Sequence, residues 1–241
     1  MSAQPRQKVP EQIAGQIRQL IADSALKEDD ELGSEADLIA RFDASRPSIR
    51  EAIRILEAEG LVKIVKGARS VKVREPSSDL PARFGALFLR AQGCGIGDAY
   101  RARTLIEPSA IRELIARAAD EDIAALDRIV AEEVAAAQTD PVQFSALTVR
   151  FHEEVARLSG NKVIHLLLTM MRSMFENHAQ ATISNDSSEN FRRAIKSHRI
   201  LIHLIRQRKV DEAEAFWRRH LEIVERIMAR SPGFDDLVEF K

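Results

Sequence analysis

Apolar residues keep a helical period through almost the whole chain, and the interval that breaks it is short. Ile13, Ile17, Leu20 and Ile21 are spaced 4, 3 and 1 apart, which is one face of an amphipathic helix over residues 10–24. A second helix is predicted after Ser34, whose hydroxyl caps it while Asp37 closes the reciprocal box. Leu38, Ile39 and Phe42 supply its buried side. A third follows Ser45, buries Ile49, Ile53 and Leu56, and stops at Gly60, a residue suited to the left-handed position past a helix end. Then Leu61–Val65 and Ser70–Val73 read as short β-type runs around Lys66-Gly67-Ala68-Arg69, a hairpin. Three helices and a two-stranded ribbon predict a winged helix-turn-helix over residues 1–75.

Glu75-Pro76-Ser77-Ser78 breaks both periods and is the expected linker. A connecting helix is expected near 80–92, interrupted by Gly93-Cys94-Gly95-Ile96-Gly97, so that 76–97 joins the two parts. Helices are then expected at 98–118, 121–138, 141–159, 161–182, 187–208 and 210–230, with breaks such as Asp140-Pro141 and Gly160-Asn161 between them. No strand pattern competes over 98–230, so the fold class is mainly α. The tail, 231–241, is expected to be loose or to end in a short helix.

A chain of 241 residues fits one or two domains. No stretch approaches the run of roughly 18 apolar residues that a membrane span needs, and the polar N-terminus lacks the apolar core of a signal peptide. The single Cys94 excludes an internal disulfide framework and a Cys-rich zinc module, and fits a reducing cytoplasm. A net charge of -1, from 36 Lys and Arg against 37 Asp and Glu, argues at first against a nucleic-acid partner. The sum conceals a local excess. Within 41–74 nine basic residues face four acidic ones, and the acidic stretch from Asp23 to Asp37 cancels them in the total. Such an excess points to phosphate contact, although a charge cluster alone is as readily a solvated face.

Leu32-Gly-Ser-Glu-Ala-Asp-Leu-Ile-Ala-Arg-Phe42, then Ser45-Arg-Pro-Ser-Ile-Arg-Glu-Ala-Ile-Arg-Ile-Leu-Glu-Ala-Glu-Gly-Leu-Val62, resembles the signature of GntR-type bacterial transcriptional regulators, over about residues 8–74. The residues make chemical sense beside the resemblance. Arg46 and Arg50, four apart, share one face of the third helix while Ile49, Ile53 and Leu56 hold the other. An arginine at the start of a recognition helix can fork to guanine O6 and N7 in the major groove. Ser45 and Ser48 are short donors suited to phosphate oxygens. The resemblance implies that Arg46 and Arg50 carry base contacts, that Gly67 lets the wing tip approach the minor groove, and that Lys66 contacts the backbone beside it. The family often carries an Arg where this chain has Ala36, so one contact is missing unless Arg41 supplies it.

All six histidines, His152, His165, His178, His198, His203 and His220, lie after residue 150. Phe151-His152-Glu153-Glu154-Val155-Ala156 has Ala where a His-Glu-x-x-His zinc helix needs its second His, so the hydrolase reading fails on one residue. Arg103-Thr-Leu-Ile-Glu107-Pro108, Phe151-His152 with Ser159-Gly-Asn161, His198-Arg199 and His220-Leu221 are similar, in order, to landmarks of the FCD effector domain of the FadR branch, over about 98–226. The resemblance implies an antiparallel α-helical bundle and, in it, one divalent transition metal of zinc or nickel type held by His152, His198 and His220. The family's Asp ligand falls on Thr148, a neutral hydroxyl and a poorer ligand. The alternative is three core histidines hydrogen-bonded to neighbouring helices. Arg103 is implied to point into the cavity and meet a carboxylate effector, or to form a buried salt bridge with Glu107, four residues on. Met170, Met171, Met174 and Phe175 are read as core.

The expected function is that of a cytoplasmic regulator, a repressor, that binds a pseudo-palindromic double-stranded operator as a homodimer. A small organic acid, bound among Arg103, Thr148, His152, His198 and His220, would modulate it. Two rivals are a metal-dependent enzyme built on the histidines and a DNA-binding protein with no effector. The enzyme is disfavoured because no nucleophile or base accompanies the histidines at a diagnostic spacing.

Overall fold

Caps and apolar stripes set the N-terminal elements. The computed structural model describes residues 9–23, 25–65, 70–74, 79–181 and 188–238, in two units, 1–80 and 81–241. In the first unit α1 (Val9–Ala22) buries Ile13, Ala14 and Ile17. Helix α2 (Glu35–Phe42) starts at the Ser34 cap, with Asp37 completing the reciprocal box. Helix α3 (Arg46–Ala58) starts at the Ser45 cap with Pro47 in its first turn, where a missing N–H is no loss. It buries Ile49, Ala52, Ile53 and Leu56. The chain leaves α3 through Gly60 at φ 72°, a left-handed value that a side chain would resist. Strands β2 (Val62–Val65) and β3 (Ser70–Val73) pair antiparallel, with Val62 opposite Val73 and Val65 opposite Ser70.

The sheet has one strand more than the ribbon expected from the sequence. Strand β1 (Glu31–Ser34) pairs antiparallel with the other edge of β3, giving the order β1-β3-β2. Four residues with a register shift between Glu31 and Gly33 carry no alternation to read, and Leu32 alone of them is buried. The three helices and the sheet share one core of Ile13, Ile17, Leu38, Ile49, Leu56 and Val71 with their neighbours.

In the second unit the described residues are helical almost throughout. Helix α4 (Asp79–Ala91) leads to α5 (Ile96–Arg117), α6 (Asp120–Thr139), α7 (Pro141–Leu158), α8 (Lys162–Ala181), α9 (Ser188–Arg206) and α10 (Val210–Met228). Helix α5 packs on α10, α7 and α8, and α6 packs on α7 and α9. The main core gathers Leu114, Leu126, Phe151, Leu201, Ile202 and Trp217, all fully buried.

The tail corrects the expectation of looseness. Phe234 and Val238 are buried with Tyr100, Met174 and Phe175, and the segment closes over the start of α5. Val238 N donates to Cys94 O at 3.1 Å, and Arg90 donates to Val238 O at 2.7 Å. Gly97 permits this, because a Cβ there would stand 2.8 Å from the Phe234 ring. Helix α5 also begins two residues before the expected 98, at the Gly95 cap, where Asp98 accepts from Gly95 N at 3.0 Å.

Candidate functional site

On the N-terminal unit the candidate reading surface is the outer face of α3. Arg46, Arg50 and Arg54 are exposed while the opposite stripe is core. Ser45 Oγ accepts from Ser48 N at 3.3 Å and lies 2.9 Å from Ser48 Oγ, so the two hydroxyls form one cluster at the helix start. Arg50 Nε donates to Glu35 of α2 at 3.1 Å, and Arg54 pairs with Glu51 at 3.6 Å. Arg46 makes no ion pair among the described residues. The Arg50 side chain is 63% exposed, so its pair is weak and open to exchange for another anion. Ala36 is exposed, and Arg41 lies over the Phe42 ring at 5.5 Å. Lys66 and Gly67 at the expected wing tip, and the linker 75–78, lie outside the described residues.

In the helical unit α5, α7, α8, α9 and α10 surround a cavity of about 570 Å³. Arg103, Thr148, His152 and His220 are on its wall. His152, His198 and His220 each offer a ring nitrogen, and these atoms all lie within 4.8 Å of one another. What each ring touches on its other side sets its aim. His152 Nδ1 is 2.7 Å from Glu107 Oε2, and His198 Nδ1 is 2.9 Å from Glu133 Oε2. His220 stacks on Trp217 with ring centroids 4.6 Å apart. Trp217 in turn donates to Glu107 Oε2 at 2.7 Å, and Arg103 Nε donates to Glu107 Oε1 at 2.6 Å. A ring that gives its Nδ1 proton to a carboxylate presents Nε2 as a lone pair, the arrangement that orients histidine toward a metal.

Electrostatics keep His152 and His220 neutral. Burial opposes charge on Glu107, but His152, Arg103 and the hydrogen bonds outweigh it and hold its pKa down to about 2. Burial and then the Arg103 charge push His152 down to about 3, against the pull of Glu107. Burial, then His198 and His152, push His220 down to about 2. Glu107 is therefore a buried anion and both imidazoles are neutral near pH 7.

The donor set fits a metal ion. His198 Nε2 and Thr148 Oγ1 are buried and make no hydrogen bond among the described residues, in a protein where most buried polar atoms do. Tetrahedral zinc with bonds of about 2.1 Å needs ligands roughly 3.4 Å apart, and the three ring nitrogens, within 4.8 Å of one another, are gathered on that scale. The orphaned hydroxyl of Thr148 offers a neutral donor where a carboxylate would bind more strongly.

Arg103 forms the buried salt bridge with Glu107 and also lines the cavity, with its guanidinium 4.9 Å from the Phe175 ring centre. Met171 and Met174 are core, as read; Phe175 is core and also lines the cavity. His178 is buried but not on the cavity wall; it meets Tyr100 at 3.3 Å and Ser231 at 3.5 Å, and so holds the tail. His165 lies 3.9 Å from Glu153, and His203 is exposed. Glu153, the acid of the failed zinc-helix match, is committed to Thr169 at 2.7 Å and Arg172 at 3.4 Å. Sequence reasoning missed Glu133. The signal was present: Glu133 shares the buried stripe of Ile129, Val130 and Ala136 on α6, where an unpartnered carboxylate would be costly.

A DNA-reading helix-turn-helix joined in one chain to a helical bundle with a histidine-lined cavity is the build of a ligand-sensing transcriptional regulator. Comparison with known proteins makes the assignment specific. Residues 98–223, more than half of the chain, match the FCD domain, and residues 10–71 match the bacterial regulatory proteins of the gntR family. The chain belongs to the FCD-domain branch of the GntR family, which comprises DNA-binding transcriptional regulators with an effector-binding domain and not enzymes. It is similar to the HTH-type transcriptional repressor NanR of Salmonella schwarzengrund (strain CVM19633), with 29% identity over 223 residues that cover 91% of this chain and 84% of the relative. The repressor of the same name from Salmonella typhi matches to the same extent. A Streptococcus agalactiae GntR structure shares the fold, with a TM-score of 0.72 at 24% identity over 90% of this chain and 99% of that one. Among the described residues no helix is long and apolar enough to cross a membrane.

Proposed function

We propose that the chain is a repressor that binds a pseudo-palindromic operator as a homodimer and is modulated by an organic acid held in the helical unit at a histidine-bound metal. Arg46 and Arg50 read bases, Ser45 and Ser48 hold phosphates, and Lys66 and Gly67 serve the wing. His152, His198 and His220 hold one divalent transition metal of zinc or nickel type, with Thr148 at the fourth position. When bound, the ion supplies a Lewis-acidic point for a carboxylate. Arg103 adds charge on the same wall, and Glu107 and Glu133 hold His152 and His198 in register. The observation that carries the reading is the pair of buried, unpartnered atoms, His198 Nε2 and Thr148 Oγ1, beside two neutral imidazoles. A dimer is supported by the exposed apolar side chains Leu105 on α5 and Val163 and Leu167 on α8, two helices that pack together. The repressor role follows the named relatives.

Elemental analysis of purified full-length protein tests the centre. One metal per chain is expected, lost on changing His198 to Ala. Thr148→Asp should raise metal affinity tenfold or more. Metal-free protein whose ion content is unaffected by both changes overturns the centre. Selection of binding sites from random duplex DNA tests the rest, with inverted half-sites and two chains per duplex as the expected outcome.

A further inference from the structure

We infer that the acid sensed by the helical unit carries an apolar body of about six carbons or more, with its acidic group at the histidine centre. The inference rests on the effector reading above and adds the class of molecule. The cavity, at about 570 Å³, has the size that takes a drug-sized ligand rather than a two- or three-carbon acid. Its lining is mixed. Arg103, Thr148, His152, Asn190, Ser197 and His220 are polar, whereas Phe144, Phe191, Phe216, Ile223, Ile227 and Met228 offer a large apolar surface. Phe144 and Phe191 stack with centroids 4.1 Å apart, which gives part of that wall a flat aromatic surface.

Water is a poor occupant of such a space. Each ordered water needs two to four polar partners, and the apolar side chains offer none. A small hydrophilic acid at the histidines would leave most of the apolar wall wetted, while an apolar body would displace that water and remove apolar surface from solvent. Ile223 is 47% exposed although it lies on this wall, so apolar surface is available to be covered.

The cations of the wall do not change the class. Arg193 pairs with Glu189 at 3.0 Å; Lys196 and Arg219 are exposed and make no ion pair among the described residues. Charges so wetted attract an anion over distance but anchor it weakly. The buried end of the cavity is where a carboxylate gains most.

The test is a calorimetric titration of metal-loaded full-length protein with the n-alkanoates butyrate, hexanoate and octanoate. Gluconate, suberate and 1-octanol are the controls, and release of a selected duplex is the second readout. Affinity is expected to rise about fourfold per methylene, the factor that burying one CH₂ gives. Gluconate, suberate and 1-octanol should each bind at least tenfold more weakly than octanoate. Ile223→Asp, at a half-exposed position, should weaken octanoate tenfold and leave the metal content at the wild-type value. A flat alkanoate series, or gluconate or suberate binding as tightly as octanoate, overturns the inference while leaving the effector reading in place. No binding by any of these acids, gluconate and suberate included, overturns the effector reading and the inference with it.

Discussion

Glu107 is the residue on which the bundle's polar centre is hung. Its two oxygens receive Arg103 Nε, His152 Nδ1 and Trp217 Nε1, all at 2.6–2.7 Å, and its side chain is fully buried. Replacing it with Gln leaves Arg103, itself only 5% exposed, without its anion and turns an amide N–H₂ toward donors. Loss of one partner from a buried pair costs about 3–5 kcal/mol. Glu107→Gln should therefore lower the stability of the helical unit by that order in urea. Trp217 is the sole tryptophan of the chain and touches the site, so its fluorescence follows the transition directly. A midpoint unchanged by the substitution would show that Glu107 is not the hub of the centre.

The histidines set a pH dependence at the same scale. In metal-free protein His152 is held down to about 3 and His220 to about 2, whereas the unfolded chain protonates histidine near 6.5. Between those values the folded state binds fewer protons than the unfolded one, so stability rises with pH. Their contribution is full above about pH 6.5 and is lost progressively as pH falls toward 3. Glu107, also depressed, adds to the loss in the same direction below its usual value of 4.5. The melting temperature of the metal-free chain should fall steadily from pH 7 to pH 4, and His152→Gln with His220→Gln should flatten the curve. A melting temperature that holds or rises on acidification contradicts neutral buried imidazoles.

At the scale of elements, α3 shows which features a sequence can carry. Its cap, its apolar stripe and its terminating glycine are all local, so its bounds and its exposed arginines were legible from spacing alone. Arg46→Ala and Arg50→Ala should each weaken binding to a selected site by about 1–3 kcal/mol and relax base preference there. Because both side chains are exposed and the Arg50–Glu35 pair is wetted, stability should move by no more than about 0.5 kcal/mol. Fluorescence anisotropy and thermal melting on the same samples separate the two effects, and a footprint unchanged by either substitution removes α3 as the reader. Strand β1 was not legible, since its four residues are a strand only because β3 offers an open edge. The metal-ligand candidates were legible only through family landmarks. Their partners were not: Glu107 reaches His152 across 45 residues and Trp217 across 110, separations that no local period encodes.

At the scale of the whole molecule, the near-zero net charge says little about partners, because the excess over 41–74 is offset within the same unit by the acidic stretch from Asp23 to Asp37. Length was a better guide, and the two units have separate cores. What neither length nor pattern foretold is the role of the chain's end. The first amides of a helix have no partner within it, and in α5 two of them are satisfied by the tail: Ile96 N donates to Asp236 O and Gly97 N to Phe234 O, both at 3.1 Å. Phe234, buried against Tyr100 and set over Gly97, holds that segment in place, and His178 meets it through Ser231. Removing residues 231–241 should therefore expose the Ile96 and Gly97 amides to exchange while those of α6, packed in a different cluster, keep their protection. Phe234→Ala should do the same at a smaller scale, with a loss of about 3 kcal/mol, the low end for a buried Phe. Hydrogen exchange resolved to peptides around 94–100 reads the outcome. If protection there survives the truncation, the tail does not cap α5 in solution. If protection is lost across the whole bundle, the tail is part of the main core rather than a strap over one helix end.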